Sequence, residues 1–356
     1  MTNIFNTIEP VDKTLFGKQP EKSKYLFVNG IDFVEKKLPE TKIALLGAGT
    51  SLNPVREHLY SMYFPYNITI GDLGDLPAKK KDKLPEILRS LMDNGVFTIV
   101  AGNSSDTFGR CFESLAQTGS KVSLSCLTPA ITQNDFTDYL LNAKRESLSD
   151  LTLMAYQTYL SDPEILTALE SNYFETLRLG KFREDPKVYE PPLRDSEMLH
   201  MDFASLKASE VQSCSESGVN GLYSEEMCTI ARYAGLSDKM KLVNIFSRKN
   251  LKENKRTNEL IAQIVWHIAE GCVHRVKEDT LNNVNGIKKI IVNIETPPTQ
   301  LIFYHSNRTN RWWIEVKERG ADSPPVIVAC TEYDYKTACK HEIPLKWIWY
   351  RQKLSS

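Results

Sequence analysis

The chain has 356 residues, with 44 lysines and arginines against 45 aspartates and glutamates and a formal net charge of −1. That length allows one large α/β domain with an appendage and a substantial core, while the balanced charge, with no RNA-binding aromatic motif or zinc-finger spacing, argues against nucleic acid as a partner. Residues 1–17 lack a basic start followed by an apolar core, and no later segment has the apolar length of a membrane span; seven cysteines include no C-x-x-C pair and default to reduced thiols, so a cytoplasmic protein away from membranes is expected.

The apolar run 43–46, followed by Gly47-Ala48-Gly49-Thr50 and Asn53-Pro54-Val55-Arg56, predicts a strand, a turn and a helix start. A lone Gly-x-Gly without a third glycine is a weak nucleotide signal. The lysine-rich runs 79–83 and 248–256 read as solvated loops, since nothing extends them into a stripe. Residues 84–94 predict a helix and 96–100 a buried strand, and strands recur at 122–127, 151–156, 198–203 and 242–245. Short apolar strands separated by helical stretches imply a mainly parallel sheet with helices on both faces. Ser161-Asp162-Pro163-Glu164 marks a helix start, with Ser161 as the cap and Glu164 three residues on. Residues 224–234 and 257–271 supply later helices.

From residue 287 the character changes. A strand is predicted at 290–294, a break at Thr296-Pro297-Pro298-Thr299, and a hairpin from 301–304 and 312–316 turning through Asn307-Arg308-Thr309-Asn310, with a further strand at 326–329. Trp312, Trp313, Trp347, Trp349 and Tyr350 are too many large aromatics for a disordered tail. The expected organisation is an α/β domain over 1–286 and an aromatic-rich extension, 287–356, packed on it or across a subunit interface.

Ala101-Gly102-Asn103-Ser104, Ser125-Cys126-Leu127-Thr128-Pro129 and His200-Met201-Asp202-Phe203-Ala204 resemble, in the same order, the G-G-D-H loop, the D-A-H-x-D strand and the S-x-D-x-D strand of ureohydrolases, the family of arginase, agmatinase and formimidoylglutamase. Gly71-Asp72-Leu73-Gly74, Tyr156-Gln157-Thr158-Tyr159, Arg178-Leu179-Gly180-Lys181, Asn220-Gly221-Leu222-Tyr223-Ser224-Glu225-Glu226 and the run 230–239 resemble signatures of a bacterial formimidoylglutamase-like branch, as does the extension. The resemblance covers most of the chain and implies a three-layer α/β/α, arginase-like fold.

It also implies the loss of a metal centre. The six ligand positions of such an enzyme hold Ser104, Ser125, Leu127, Pro129, Asp202 and Ala204 here, and the substrate-receiving glutamate falls on Ser247. Two closely spaced divalent ions need several anionic oxygens to offset their repulsion, and the hydroxide they bridge is the nucleophile. One carboxylate does not supply them. The loop after Gly49 is also shorter than the family's. The resemblance therefore implies a vacated pocket lined by these residues with Asn103 and His200, with no catalytic residue, metal or cofactor.

Other readings stand beside this one. His200 and Asp202 are two apart on a strand and share a side, so with Asn103 they suggest a single weakly bound divalent ion or a small-molecule pocket. The structural alternative is that Asp202 accepts hydrogen bonds from backbone or from Ser104, Ser105, Ser123 and Ser125. His267, Glu270 and His274 share a helical face, which reads as a solvent-facing stripe rather than a metal site, for want of a fourth ligand. No G-x-S-x-G elbow supports a serine hydrolase, and Cys126 has no evident base. The expected function is a non-catalytic ureohydrolase homologue, or pseudoenzyme, that binds a protein partner or self-associates. The alternatives are a C–N hydrolase of a guanidino or formimino compound acting through a rearranged site, and a small-molecule sensor.

Overall fold

The computed structural model describes residues 4–15, 26–28, 41–66, 68, 70–104, 106–116, 121–133, 139–143, 145–211, 218–247, 254–278, 286–295, 297–317 and 324–355. Thirteen strands occur among them: β1 (Leu26–Val28), β2 (Ile43–Ala48), β3 (Ile70–Leu76), β4 (Phe97–Gly102), β5 (Val122–Leu127), β6 (Leu148–Tyr156), β7 (Glu175–Arg178), β8 (Met198–Asp202), β9 (Leu242–Phe246), β10 (Ile287–Asn293), β11 (Gln300–Ser306), β12 (Trp312–Val316) and β13 (Val326–Cys330). The α-helices are α1 (Asn53–Leu59), α2 (Leu84–Asp93), α3 (Asp106–Ala116), α4 (Pro163–Ser171), α5 (Leu179–Glu184), α6 (Glu190–Asp195), α7 (Ser224–Leu236), α8 (Lys255–Val273), α9 (Glu332–Ala338) and α10 (Leu345–Ser355).

Strands β1 to β9 form one sheet in the order β1-β3-β2-β4-β9-β8-β5-β6-β7, and every pairing in it is parallel. The central strands β2, β4 and β9 are buried at every position. The reason is coverage on both faces, which is why their sequences are continuous apolar runs rather than alternating ones. Apolar residues of α1, α5, α7 and α8 pack with alternate strand residues such as Ile99, Leu127 and Met201 in one core. The intervening positions, Val100, Leu124 and Met198 among them, meet α2, α3 and α4 in a second core. The result is the expected three-layer α/β/α arrangement.

Strands β10 to β13 make a separate antiparallel sheet. One face holds Phe303, Trp312, Ile314 and Val328 against residues of α9 and α10, and the other carries Tyr304 and Trp313. The Arg194 guanidinium, at the end of α6, lies 4.3 Å from the centre of the Trp313 ring and donates to Trp312 O at 3.0 Å. Asp195 accepts from Ala329 N at 2.7 Å. Helix α10 is tied down by Lys346 on Glu175 at 2.6 Å and by Tyr350 and Lys353, both on Asp150. Asp150, Glu175 and Asp195 lie at the amino-terminal ends of β6, β7 and β8, so the extension covers that edge of the large sheet.

Some sequence expectations shift. The cap of α4 is Asp162, which accepts from Glu164 N; the Ser161 hydroxyl instead accepts from Ile131 N and donates to Gln157 O, linking two loops. The strand expected at 290–294 runs Ile287–Asn293, and 198–203 ends at Asp202 because Phe203 begins a 3-10 turn. β3 escapes pattern reading because IGDLGDL carries two glycines and two aspartates. Its burial depends on Arg56, from another element. Ser105 and residues 248–253 of the basic run lie outside the described residues, while Lys255 and Arg256, expected in a loop, open α8.

Candidate functional site

The carboxyl-terminal ends of β4, β9, β8 and β5 lie side by side: Gly102 pairs with Phe246, Asp202 with Phe246, and Leu127 with Met201. Ligands of open α/β sheets sit beyond such strand ends. Asn103 and Ser104 follow β4, Ser247 follows β9, Ala204 follows β8, and Pro129 follows β5, so the fold gathers most of the candidate residues along one edge.

Pairing register then divides them. Leu127 is fully buried in the core that holds Met154 and Met201. Ser125, two residues back on the same side, is also fully buried. Its hydroxyl meets Ser196 Oγ at 2.7 Å, and Ser196 in turn donates to Pro192 O. Cys126, on the opposite side of β5, is the register partner of His200. His200 and Asp202 therefore leave the sheet on the face opposite to Ser125 and Leu127. His200 is buried beside Phe108, 4.8 Å between ring centres, with Phe246 stacked at 6.0 Å. Its Nδ1 lies 2.8 Å from Asn244 Oδ1, and Asn244 Nδ2 donates to Val100 O. The amide orientation places the proton on His200 Nδ1. This histidine is held as part of the packing.

Asp202 is half-buried and accepts from Ala204 N at 2.9 Å, capping the 3-10 turn Phe203–Ser205. Backbone thus serves it as expected, while Ser123 and Ser125 spend their hydroxyls on Asp195 O and Ser196. Ala204 and Ser247 are buried, and Ser247 N donates to Gly102 O. Asn103 and Ser104 lie against Gly49, within 3.9 and 4.0 Å of where its Cβ would stand. Gly49 has φ of 75°, and a Cβ on Gly47 would come within 2.1 Å of Asp75 Oδ1. Backbone turn and close packing account for Gly47-Ala48-Gly49 without a nucleotide.

A buried charge cluster joins α1 to β3. Arg56 forks onto Asp72 at 2.8 and 3.0 Å and reaches Asp75 at 2.9 Å. Tyr60 donates to Asp72 at 2.6 Å, and Gly74 N at 3.1 Å. Burial works to lower the Arg56 pKa, but the two carboxylates outweigh it and raise the value; burial and then Asp72 push Tyr60 up as well. In the sequence Arg56 and Asp72 stand in separate motifs, and nothing local pairs them. The His267 stripe is also more connected than a solvent face: Glu270 accepts from Arg232 at 3.1 Å and Tyr66 at 3.2 Å, and its carboxylate lies 3.4 Å from His267.

A manganese pair does not fit these donors. Leucine and alanine offer no lone pair, proline offers no side-chain donor, and serine hydroxyls are neutral and weak. Among the described residues no group of three or more histidine, cysteine, aspartate or glutamate side chains is placed to hold a metal ion.

No family model matches the sequence, and no curated protein matches it. Solved structures do. Trypanosoma cruzi formiminoglutamase matches with a TM-score of 0.61 at 15% identity, over 68% of this chain and 97% of that one; the same enzyme was also solved with Mn2+. Bacillus subtilis formimidoylglutamase matches at 0.57 and 15% identity, over 67% and 88%. Agmatine ureohydrolase of Thermoplasma volcanium matches at 0.51 and 12% identity, over 67% and 92%. The nine-stranded parallel sheet between two helical layers is thus the arginase-like ureohydrolase fold, carried by this chain together with a second, antiparallel sheet.

Proposed function

We propose that this chain is a non-catalytic ureohydrolase homologue, in which the scaffold is kept for binding or assembly and the binuclear metal chemistry is gone. The observation that carries the reading is the donor set at the carboxyl-terminal strand ends. Asp202 is the one carboxylate among the six matched positions, and it already caps a turn. The six described cysteines are all free thiols, in keeping with a cytoplasmic setting. Among the described residues no helix is long and apolar enough to cross a membrane.

The test is calorimetric titration of the purified protein with Mn2+, read beside assays of formiminoglutamate, agmatine and arginine hydrolysis. The expected outcome is no stoichiometric binding and no turnover. Chelator-sensitive hydrolysis of any of the three would overturn the reading in favour of a C–N hydrolase with a rearranged site. Ligand-specific stabilisation without turnover would favour a small-molecule sensor.

A further inference from the structure

We infer that the cleft between β13 and the amino-terminal edge of the large sheet receives an extended, cationic peptide segment as a fifth strand of the small sheet. The cleft has a volume of about 400 Å³ and lies on the opposite edge from the residues discussed above. One wall is β13, the last strand of its sheet, whose second edge has no strand partner among the described residues. Ala329 N points out of this edge, because it donates to Asp195 rather than to β12. Residues two apart on a strand direct their main-chain groups the same way. Ile327, half-buried in the cleft wall, therefore presents its N–H and C=O there too. Asp195 already holds Ala329 N–H, and Pro325 has none, so an added chain gains its main-chain hydrogen bonds at the N–H and C=O of Ile327 and at the neighbouring outward carbonyls, the usual source of affinity in strand addition.

The floor sets the charge. Asp150, Asp195, Glu197 and Asp238 line it against Lys239 and Lys241. Lys239 is paired with Asp195 and Lys241 with Glu197, while Lys353 and Tyr350 answer Asp150. Asp238 is exposed and has no cation partner among the described residues. It lies just past the end of α7, a 13-residue helix whose terminal carbonyls add negative potential. Lysine or arginine side chains facing the floor would therefore meet a surplus of negative charge. This inference concerns a different edge from the lost metal centre and stands whether or not that reading holds.

The experiment measures binding of a labelled, N-acetylated and amidated peptide alternating valine and lysine, about eight residues long to match a strand, by fluorescence anisotropy on the full chain. The same peptide with glutamate for lysine serves as control. Ile327→Pro removes the outward N–H while leaving the β12–β13 pairing intact, since proline is accepted on the open side of an edge strand. Asp238→Lys reverses the unpaired charge without touching the backbone. The lysine peptide is expected to bind, and each variant to weaken it at least about tenfold with unchanged melting. Equal binding of the glutamate peptide, or unchanged binding in both variants, would overturn the inference. So would a dimer in sedimentation that Ile327→Pro makes monomeric, because the edge would then belong to a second copy.

Discussion

Arg56 shows what a single buried charge demands. Its guanidinium is fully buried, and it is tolerated because Asp72 and Asp75 neutralise it and Tyr60 and Gly74 complete Asp72's acceptor sites. Asp72→Asn leaves the cation half-compensated in a dry site and is expected to cost about 3–5 kcal/mol, read as a fall in the urea midpoint. Tyr189 is a neutral counterpart. Ala155 has φ of 68° inside β6, and its N–H is turned to Tyr189 Oη at 2.8 Å, while Tyr189 donates to Leu177 O at 3.1 Å. Tyr189→Phe strands both groups and should cost about 1–3 kcal/mol by the same measurement; a loss within a few tenths would show that water takes over both bonds. At the candidate site the residue types at 104, 125, 127, 129 and 204, and the donor chemistry each can offer, are legible in the sequence. Which face each residue leaves from is not, because that depends on the pairing of β5 with β8, some 70 residues apart.

At the scale of elements, α10 illustrates docking by charge. Asp150 is half-buried, and desolvation works to raise its pKa, but Lys353 and Lys346 outweigh this and hold it below the usual carboxylate range. Because the folded value is depressed, the stabilisation is fully present above the unfolded value of about 4 and is lost as pH falls through the folded value. Tyr350 behaves oppositely: burial and then Asp150 raise it well above its ordinary value, so its contribution is present below about pH 10 and fades as pH rises beyond that. Asp150→Asn is expected to remove about 3 kcal/mol at neutral pH and to flatten the acid side of the melting-temperature profile. A variant with the same acid slope as the parent would show that α10 is held by its apolar contacts alone. The helices α2, α7 and α8 were readable from their apolar period, and the strand β3 was not, since its aspartates and glycines are buried by a partner, Arg56, that lies outside it.

For the molecule as a whole, the extension is a second sheet docked against one edge of the first. Removing residues from Ile287 onward uncovers Arg194, Asp195, Asp150 and Glu175 at one edge of the large sheet. The expected outcome is insoluble protein or an altered mass in sedimentation; a soluble truncation with unchanged mass and melting would show that the main domain needs no cover there. The sequence by itself determined the alternation of strands and helices, the parallel sheet, and the residue types at the candidate site, because period, apolar runs and donor chemistry are local properties of the chain. Only the tertiary structure decided that Ser125 and Leu127 turn away from His200 and Asp202, that Arg56 and Asp72 form one buried cluster, and that β13 borders a charged cleft with no further strand beyond it among the described residues. Each of these follows from register or packing between distant segments, and a one-residue change in register would reverse which side chains meet.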